Sequence, residues 1–274
     1  MSERQRILMC PPDHFEVDYV INPWMEGKPG AVDRDLADAQ WRQLRDAVAE
    51  YADIVEMPAV EGLPDIVFTA NAGIVVGDLA IPARFHHYER RGEVSHFTRM
   101  FCEQGFQVIE LPGDIRHEGA GDALLHRGEP WLWFGYGQRS DRDALDFVDQ
   151  QVDLELLGLR LVDPRYFHID TCFCPLTGGY LLYFPQAFDA ETLDRIHQRV
   201  PANQRIVVSE ADAERFACNA INVDDQVFVN DASPDLEAAL NAAGLRVNRC
   251  NLSEFIKAGG SAKCLSLKLV EPER

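Results

Sequence analysis

Short apolar runs alternate with longer amphipathic stretches along this chain, and that rhythm predicts its elements. Residues 6–9 read as a strand, and residues 33–51 as a helix with Leu36, Leu44 and Val48 on one side. Residues 66–70 and 73–81 are apolar and strand-like. Residues 93–104 read as a helix that stops at Gly105, with strands at 106–111, 123–125 and 131–134. Ser140 is placed to cap a helix reaching about residue 151, and Asp189 to cap one over 191–199. Ser233-Pro234 opens a third that ends at Gly244, proline first and glycine last. No Ser- or Gly-rich linker divides the chain. Strand pairs with a helix roughly every fifty residues point to repeated structural units within an α/β fold.

Composition narrows what such a fold does. A net charge of −19 repels nucleic acid and anionic membranes and favours a cationic ligand. No apolar run approaches the ~18 residues of a spanning helix. The opening Met1-Ser2-Glu3-Arg4-Gln5-Arg6 lacks the apolar core of a secretion signal. The seven cysteines form an odd set without framework spacing, which fits free thiols in a reducing cytoplasm. Cys172-Phe173-Cys174 suits core packing, and nothing completes a zinc site. The pattern leaves a homo-oligomer open.

Polar residues interrupt the apolar pattern at five places. Gly259-Gly260-Ser261-Ala262-Lys263-Cys264 puts a cysteine after two glycines and a lysine. Glycine lets backbone approach a ligand, and a nearby cation lowers a thiol pKa. A cysteine that only packs is the plainer alternative. Phe68-Thr69-Ala70-Asn71-Ala72-Gly73 ends an apolar run in Asn71, a turn residue or a ligand contact. His117-Glu118-Gly119-Ala120-Gly121-Asp122 flanks small residues with two acids, leaving room for a ligand or forming a polar loop. In Tyr166-Phe167-His168-Ile169-Asp170, a strand would put His168 and Asp170 on one side, where the carboxylate orients the ring. Arg90 and Arg139 could each grip a carboxylate through paired hydrogen bonds, or stand in solvent.

Together these segments, in this chain order, resemble the guanidine-modifying superfamily of amidinotransferases, arginine deiminases and dimethylarginine dimethylaminohydrolases. The resemblance runs from Met9-Cys10-Pro11-Pro12 to Cys264-Leu265-Ser266. It implies a pseudo-fivefold α/β propeller, the pentein fold, over a single catalytic domain of residues 1–274. It implies Cys264 as nucleophile, His168 as general acid/base, and Glu118 and Asp170 as the acids around the guanidinium. It further implies that Arg90, Arg139, Asp65 and Asn22 bind substrate, with no metal or organic cofactor. Deiminases carry Asp where this chain has Asn71. Ala70-Asn71-Ala72 resembles instead the dihydrolase branch, and the opening through Asn22-Pro23-Trp24-Met25 resembles the arginine dihydrolase catalytic domain. Members of that kind can carry a further C-terminal domain.

The implied substrate is L-arginine, with citrulline as intermediate and L-ornithine, ammonia and carbon dioxide as products. A thiolate can attack the guanidinium carbon, and a histidine can protonate the departing amine and then activate water. Asn71 supplies both a donor and an acceptor, so it can face a guanidinium nitrogen first and a ureido oxygen later. The alternatives are an arginine deiminase or dimethylarginine dimethylaminohydrolase that stops at citrulline, a transferase with a second amine site, and a non-catalytic arginine-binding module.

Overall fold

Five copies of one small unit build the fold. In the computed structural model, which describes residues 4–271, each unit is a three-stranded sheet with a helix between its second and third strands. The chain begins in mid-unit, with β1 (Arg6–Met9), α1 (Arg34–Ala49) and β2 (Asp53–Glu56). The second unit is β3 (Gly73–Val76), β4 (Leu79–Pro82), α2 (Val94–Glu103) and β5 (Gln107–Val108). The third is β6 (Ala123–Leu125), β7 (Trp131–Tyr136), α3 (Arg142–Asp149) and β8 (Glu155–Arg160). The fourth is β9 (Phe173–Leu176), β10 (Tyr180–Tyr183), α4 (Ala190–Arg199) and β11 (Arg205–Val207). After a single turn, α5 (Glu210–Ala213), come β12 (Ile221–Val223), β13 (Gln226–Val229), α6 (Pro234–Ala242) and β14 (Arg246–Arg249). A further turn, α7 (Ser253–Ile256), leads to β15 (Leu267–Val270), which completes the first unit by pairing antiparallel with β1.

Within every unit the first two strands run antiparallel, and the helix returns the chain to a parallel third strand. Burial falls from the middle strands to the rim. The middle strands β7 and β13 are almost wholly buried, whereas β2 and β14 expose both ends. The ring is therefore a pseudo-fivefold α/β propeller, with β3, β6, β9, β12 and β15 as its inner strands.

Local departures from the predicted pattern have physical reasons. In α1 the buried stripe is Ala37, Gln40, Trp41, Leu44 and Val48, and Leu36 is exposed because it sits one position off that stripe. Residues 66–70 are not a strand but two 3-10 turns, Pro64–Val67 and Thr69–Ala72. Both turns are buried, and a short buried apolar turn has the same apolar run as a strand. Residues 73–81 are a hairpin, turned at Gly77 (φ 57°) and Asp78. The strand expected over 106–111 pairs only at Gln107–Val108, on the rim. Asp141 rather than Ser140 precedes α3, because Ser140 is drawn inward by Asp122. Asp189 and Ser233 cap their helices as the sequence predicts.

Candidate active site

Each inner strand is entered through a short turn, and each turn carries a polar side chain that is buried. Asn71 precedes β3, Glu118 and Asp122 precede β6, His168 and Asp170 precede β9, Asn219 precedes β12, and Cys264 precedes β15. Fivefold repetition thus converts five distant positions into one cluster. Ala70 N–H donates to the Cys264 carbonyl at 3.1 Å, tying the first of these turns to the last. The cluster opens into a narrow cleft lined by Asn22, Asp65, Asn71, Arg90, Arg139, His168 and Cys264, with Phe68 and Phe167 as apolar walls.

His168 takes its carboxylate partner from the neighbouring unit. Its Nε2 lies 2.7 Å from Glu118 Oε2, and its Nδ1 lies 3.5 Å from Asn71 Nδ2. The expectation that His168 and Asp170 share one side of a strand is corrected here. His168 is extended (φ −127°), but residues 169–171 form a 3-10 turn that swings Asp170 toward Cys264. With Nε2 held by Glu118, Nδ1 is the ring nitrogen left for proton exchange. Glu118 Oε2 also accepts from Arg139 at 3.0 Å, and Oε1 accepts from the His86 backbone at 3.0 Å. Burial alone would raise the Glu118 carboxyl, but Arg139 and His168 outweigh it and hold the group well below the usual carboxylate range.

Cys264 Sγ lies 3.5 Å from Asp170 Oδ2 and accepts from Asn219 Nδ2 at 3.1 Å. Burial, reinforced by the Asp170 charge, pushes its thiol well above the ordinary range, and Lys263 only partly opposes this. Lys263 alone therefore does not make Cys264 a thiolate, and a cation bound beside the sulfur would add to its effect. Asp170 is itself pushed up to about 6 by burial, partly offset by His168 and Lys263. Its Oδ1 and that of Asp65 are buried without a hydrogen-bond partner among the described residues. Such groups are costly unless something donates to them, and a planar cation with several N–H groups fits that need.

The arginines divide the remaining work. Arg90 is stacked over Phe85 and clamped by both Glu93 oxygens, with further donors to Asn71 Oδ1 (2.8 Å) and the Asp65 carbonyl (3.1 Å). It can offer a ligand little more. Among the described residues Arg139, over Phe167, spends donors only on Glu118 and the Ile21 carbonyl, leaving three of a guanidinium's five N–H groups. Arg139 is thus the stronger carboxylate grip. Asn22 is also partly committed: it caps the 3-10 turn Pro23–Met25 and donates to the Ala258 carbonyl at 3.0 Å. Asn71 is fixed at both ends, its oxygen accepting from Arg90 and its nitrogen donating to the Glu118 carbonyl at 3.1 Å.

The glycines prove to make room chiefly for protein. A Cβ on Gly121 would sit 2.5 Å from Asn71 Nδ2 and 3.1 Å from the His168 ring, and one on Gly260 would meet the Phe68 ring at 2.4 Å. Gly121→Ala therefore displaces Asn71 and His168 from each other. We expect kcat to fall on the order of 100-fold, with a melting temperature lowered by the ~1–3 kcal/mol that overpacking costs. A loss of less than threefold would show that His168 tolerates the shift.

Sequence reasoning passes over Asn219, which accepts from Cys264 N–H at 3.1 Å and donates to both Sγ and the Asp170 carbonyl. The signal was present: Cys218-Asn219-Ala220 echoes Ala70-Asn71-Ala72, each just before an inner strand. It also passes over Ser140, whose hydroxyl donates to Asp122 at 2.6 Å while Asp122 Oδ1 accepts from Ile169 N–H. That relay pins the turn carrying His168 and Asp170.

Against this geometry, the family model for N,N dimethylarginine dimethylhydrolase, eukaryotic, matches residues 39–270. The chain belongs to that dimethylarginine dimethylhydrolase family. A dimethylarginine dimethylaminohydrolase of Mycobacterium tuberculosis is 37% identical over 97% of this chain and 86% of its own length. The bifunctional arginine dihydrolase/ornithine cyclodeaminase ArgZ of Synechocystis is 50% identical over 99% of this chain. This member of the dimethylarginine dimethylhydrolase family spans about 39% of the length of the first curated relatives it matches. The solved N-terminal domain of ArgZ, as a C264S mutant bound to substrate, has a TM-score of 0.97 at 50% identity, covering 97% of this chain and 98% of that one. The same domain is known as N71S covalently bound to a reaction intermediate.

Proposed function

We propose that this protein is an arginine dihydrolase, converting L-arginine to L-ornithine, two ammonia and carbon dioxide, and that residues 1–274 act as one catalytic unit. The observation that carries this reading is the neutral carboxamide of Asn71, fixed beside His168 in the cleft that Cys264 lines. The ArgZ domain, which bears substrate as its C264S mutant and a covalent intermediate as its N71S mutant, supports it.

The substrate guanidinium enters with its N–H groups toward Asp170 and Asp65, and its α-carboxylate toward Arg139. Its charge favours loss of the Cys264 proton, and the sulfur attacks the central carbon. His168, poised by Glu118, protonates the departing ammonia and then takes a proton from the water that releases citrulline. Citrulline stays. Its ureido carbon takes a second attack from Cys264, a second ammonia leaves, and a thiocarbamate remains on sulfur. Water cleaves this to a carbamate, which breaks down to ornithine and carbon dioxide. A carboxylate at position 71 would face the Glu118 carbonyl with no proton between them, and an unpaired buried acceptor costs ~1–3 kcal/mol.

Mass spectrometry of products from arginine, citrulline and dimethylarginine tests the reading. Arginine should yield ornithine with two ammonia, and Asn71→Asp should shift the product toward citrulline with one. Citrulline as the sole product of the parent would point to a deiminase-type hydrolase. An Asn71→Asp variant making ornithine at the parental ratio would remove Asn71 from the second half-reaction. Seven free cysteines, and no helix among the described residues long and apolar enough to cross a membrane, fit our placement of the enzyme in a reducing cytoplasm.

A further inference from the structure

A second hollow lies on the propeller axis and shares no lining residue with the catalytic cleft. All five inner strands wall this cavity of about 50 Å³, and most of the wall is hydrocarbon, including Ala123, Leu124, Phe173, Ile221 and Leu267. Its ionisable groups are Arg127, Lys263, Lys268, Glu271 and the Cys174 thiol. Burial pushes that thiol up to about 11, so it stays neutral. Three basic side chains therefore meet one acid.

Arg127 pairs with Glu271, but its buried Nε has no hydrogen-bond partner among the described residues. Among the described residues, Lys263 donates only to the Ser266 carbonyl (3.3 Å), and Lys268 only to the Asn222 carbonyl (2.6 Å). An ammonium has three N–H groups, so both lysines keep donors in hand. Neither lysine forms an ion pair among the described residues. Burial lowers the pKa of both lysines, that of Lys268 far more; Asp170 opposes this at Lys263, whereas Arg127 and Lys263 add to it at Lys268. Buried cations with unspent donors are unfavourable until an anion meets them. Arg127, Lys268 and Glu271 also border an open surface hollow beside Gly128 and Gly178, which gives a ligand a way in.

We propose that the axial cavity is a binding site for a small organic carboxylate with an apolar body. The carboxylate accepts from Lys268, with Arg127 and Lys263 beside it, and the body lies along the hydrocarbon wall. This site is independent of the arginine chemistry.

Calorimetric titration of the whole protein with 4-methylpentanoate, acetate and inorganic phosphate tests it. 4-Methylpentanoate should bind at one site, tenfold or more tighter than acetate or phosphate, and saturating ornithine should not displace it. Lys268→Met, which keeps the length of the side chain, should weaken binding at least tenfold while changing KM for arginine less than twofold. Arg127→Met, at a partly exposed position, gives the same reading if Lys268→Met fails to fold. No binding of any probe would mean that the cavity holds only water. Displacement by ornithine, or unchanged affinity in the variants, would place the carboxylate in the catalytic cleft. Either result overturns the proposal.

Discussion

Glu118→Gln lowers kcat for arginine by about 10²–10⁴-fold, the range expected when general acid/base catalysis is lost. Glu118 does not need to touch the reacting carbon for this. It orients His168 through Nε2, supports the positive charge the ring acquires, and anchors Arg139 on the same oxygen. Glutamine keeps the shape but not the charge. It also leaves Arg139 without its ion pair, and breaking such a buried pair costs ~3–5 kcal/mol, so the variant melts earlier. Because Arg139 and His168 hold Glu118 ionised far below neutral pH, the parent shows no pH limb from this residue. The check is kcat measured beside a thermal melt at a temperature where both proteins are folded. A kcat within threefold of the parent would mean that His168 is oriented by something else.

Asp170→Asn gives the second large effect, and the expected signs for activity and stability are opposite. Its carboxyl is raised to about 6, so it is neutral below that pH and charged above it. Guanidinium binding wants the charged form. The parent's kcat/KM therefore falls as pH drops through about 6, and this limb disappears in the variant. Losing one charge of a buried hydrogen-bonded pair costs ~2–5 kcal/mol, or about 30- to several thousand-fold in kcat/KM. Stability runs the other way. An acid whose folded pKa is raised favours the fold below its unfolded value, and that contribution is lost as pH rises through about 6. At neutral pH the parent thus carries a buried charge that His168 and Lys263 only partly offset, and Asp170→Asn should melt at the same temperature or higher. A pH profile with its acid limb intact in the variant would assign that limb to another group.

The two carboxylates also show what was legible in the sequence. Cys264, His168, Glu118, Asp170 and Asn71 could each be picked out because polar residues interrupt apolar runs. Their partnership could not, since it crosses from one unit to the next: His168 turns to Glu118 fifty residues away rather than to Asp170 beside it. The middle strands β7 and β13 stand out as apolar because both faces are buried. The rim strands β5 and β11 are barely marked, because solvent accepts any residue there. The turns at 64–72 and 169–171 read as strands, since a buried turn and a buried strand make the same demand on side-chain polarity. Asn219 stayed hidden because an asparagine before a strand is ordinary until the ring places it against the nucleophile.

The pairing of β15 with β1 bears on the order in which the molecule comes into being. Among the strands of the ring β1 is made first and β15 last, and Cys264 lies just ahead of β15. While the ribosome is still at work, the earlier units can collapse locally, but the gap between β1 and its missing neighbour stays open. Contacts this distant in sequence form slowly, so ring closure is the late event in folding. Asn71, Glu118, His168 and Asp170 are therefore all made before Cys264, and the first and last turns meet only when the circle is shut.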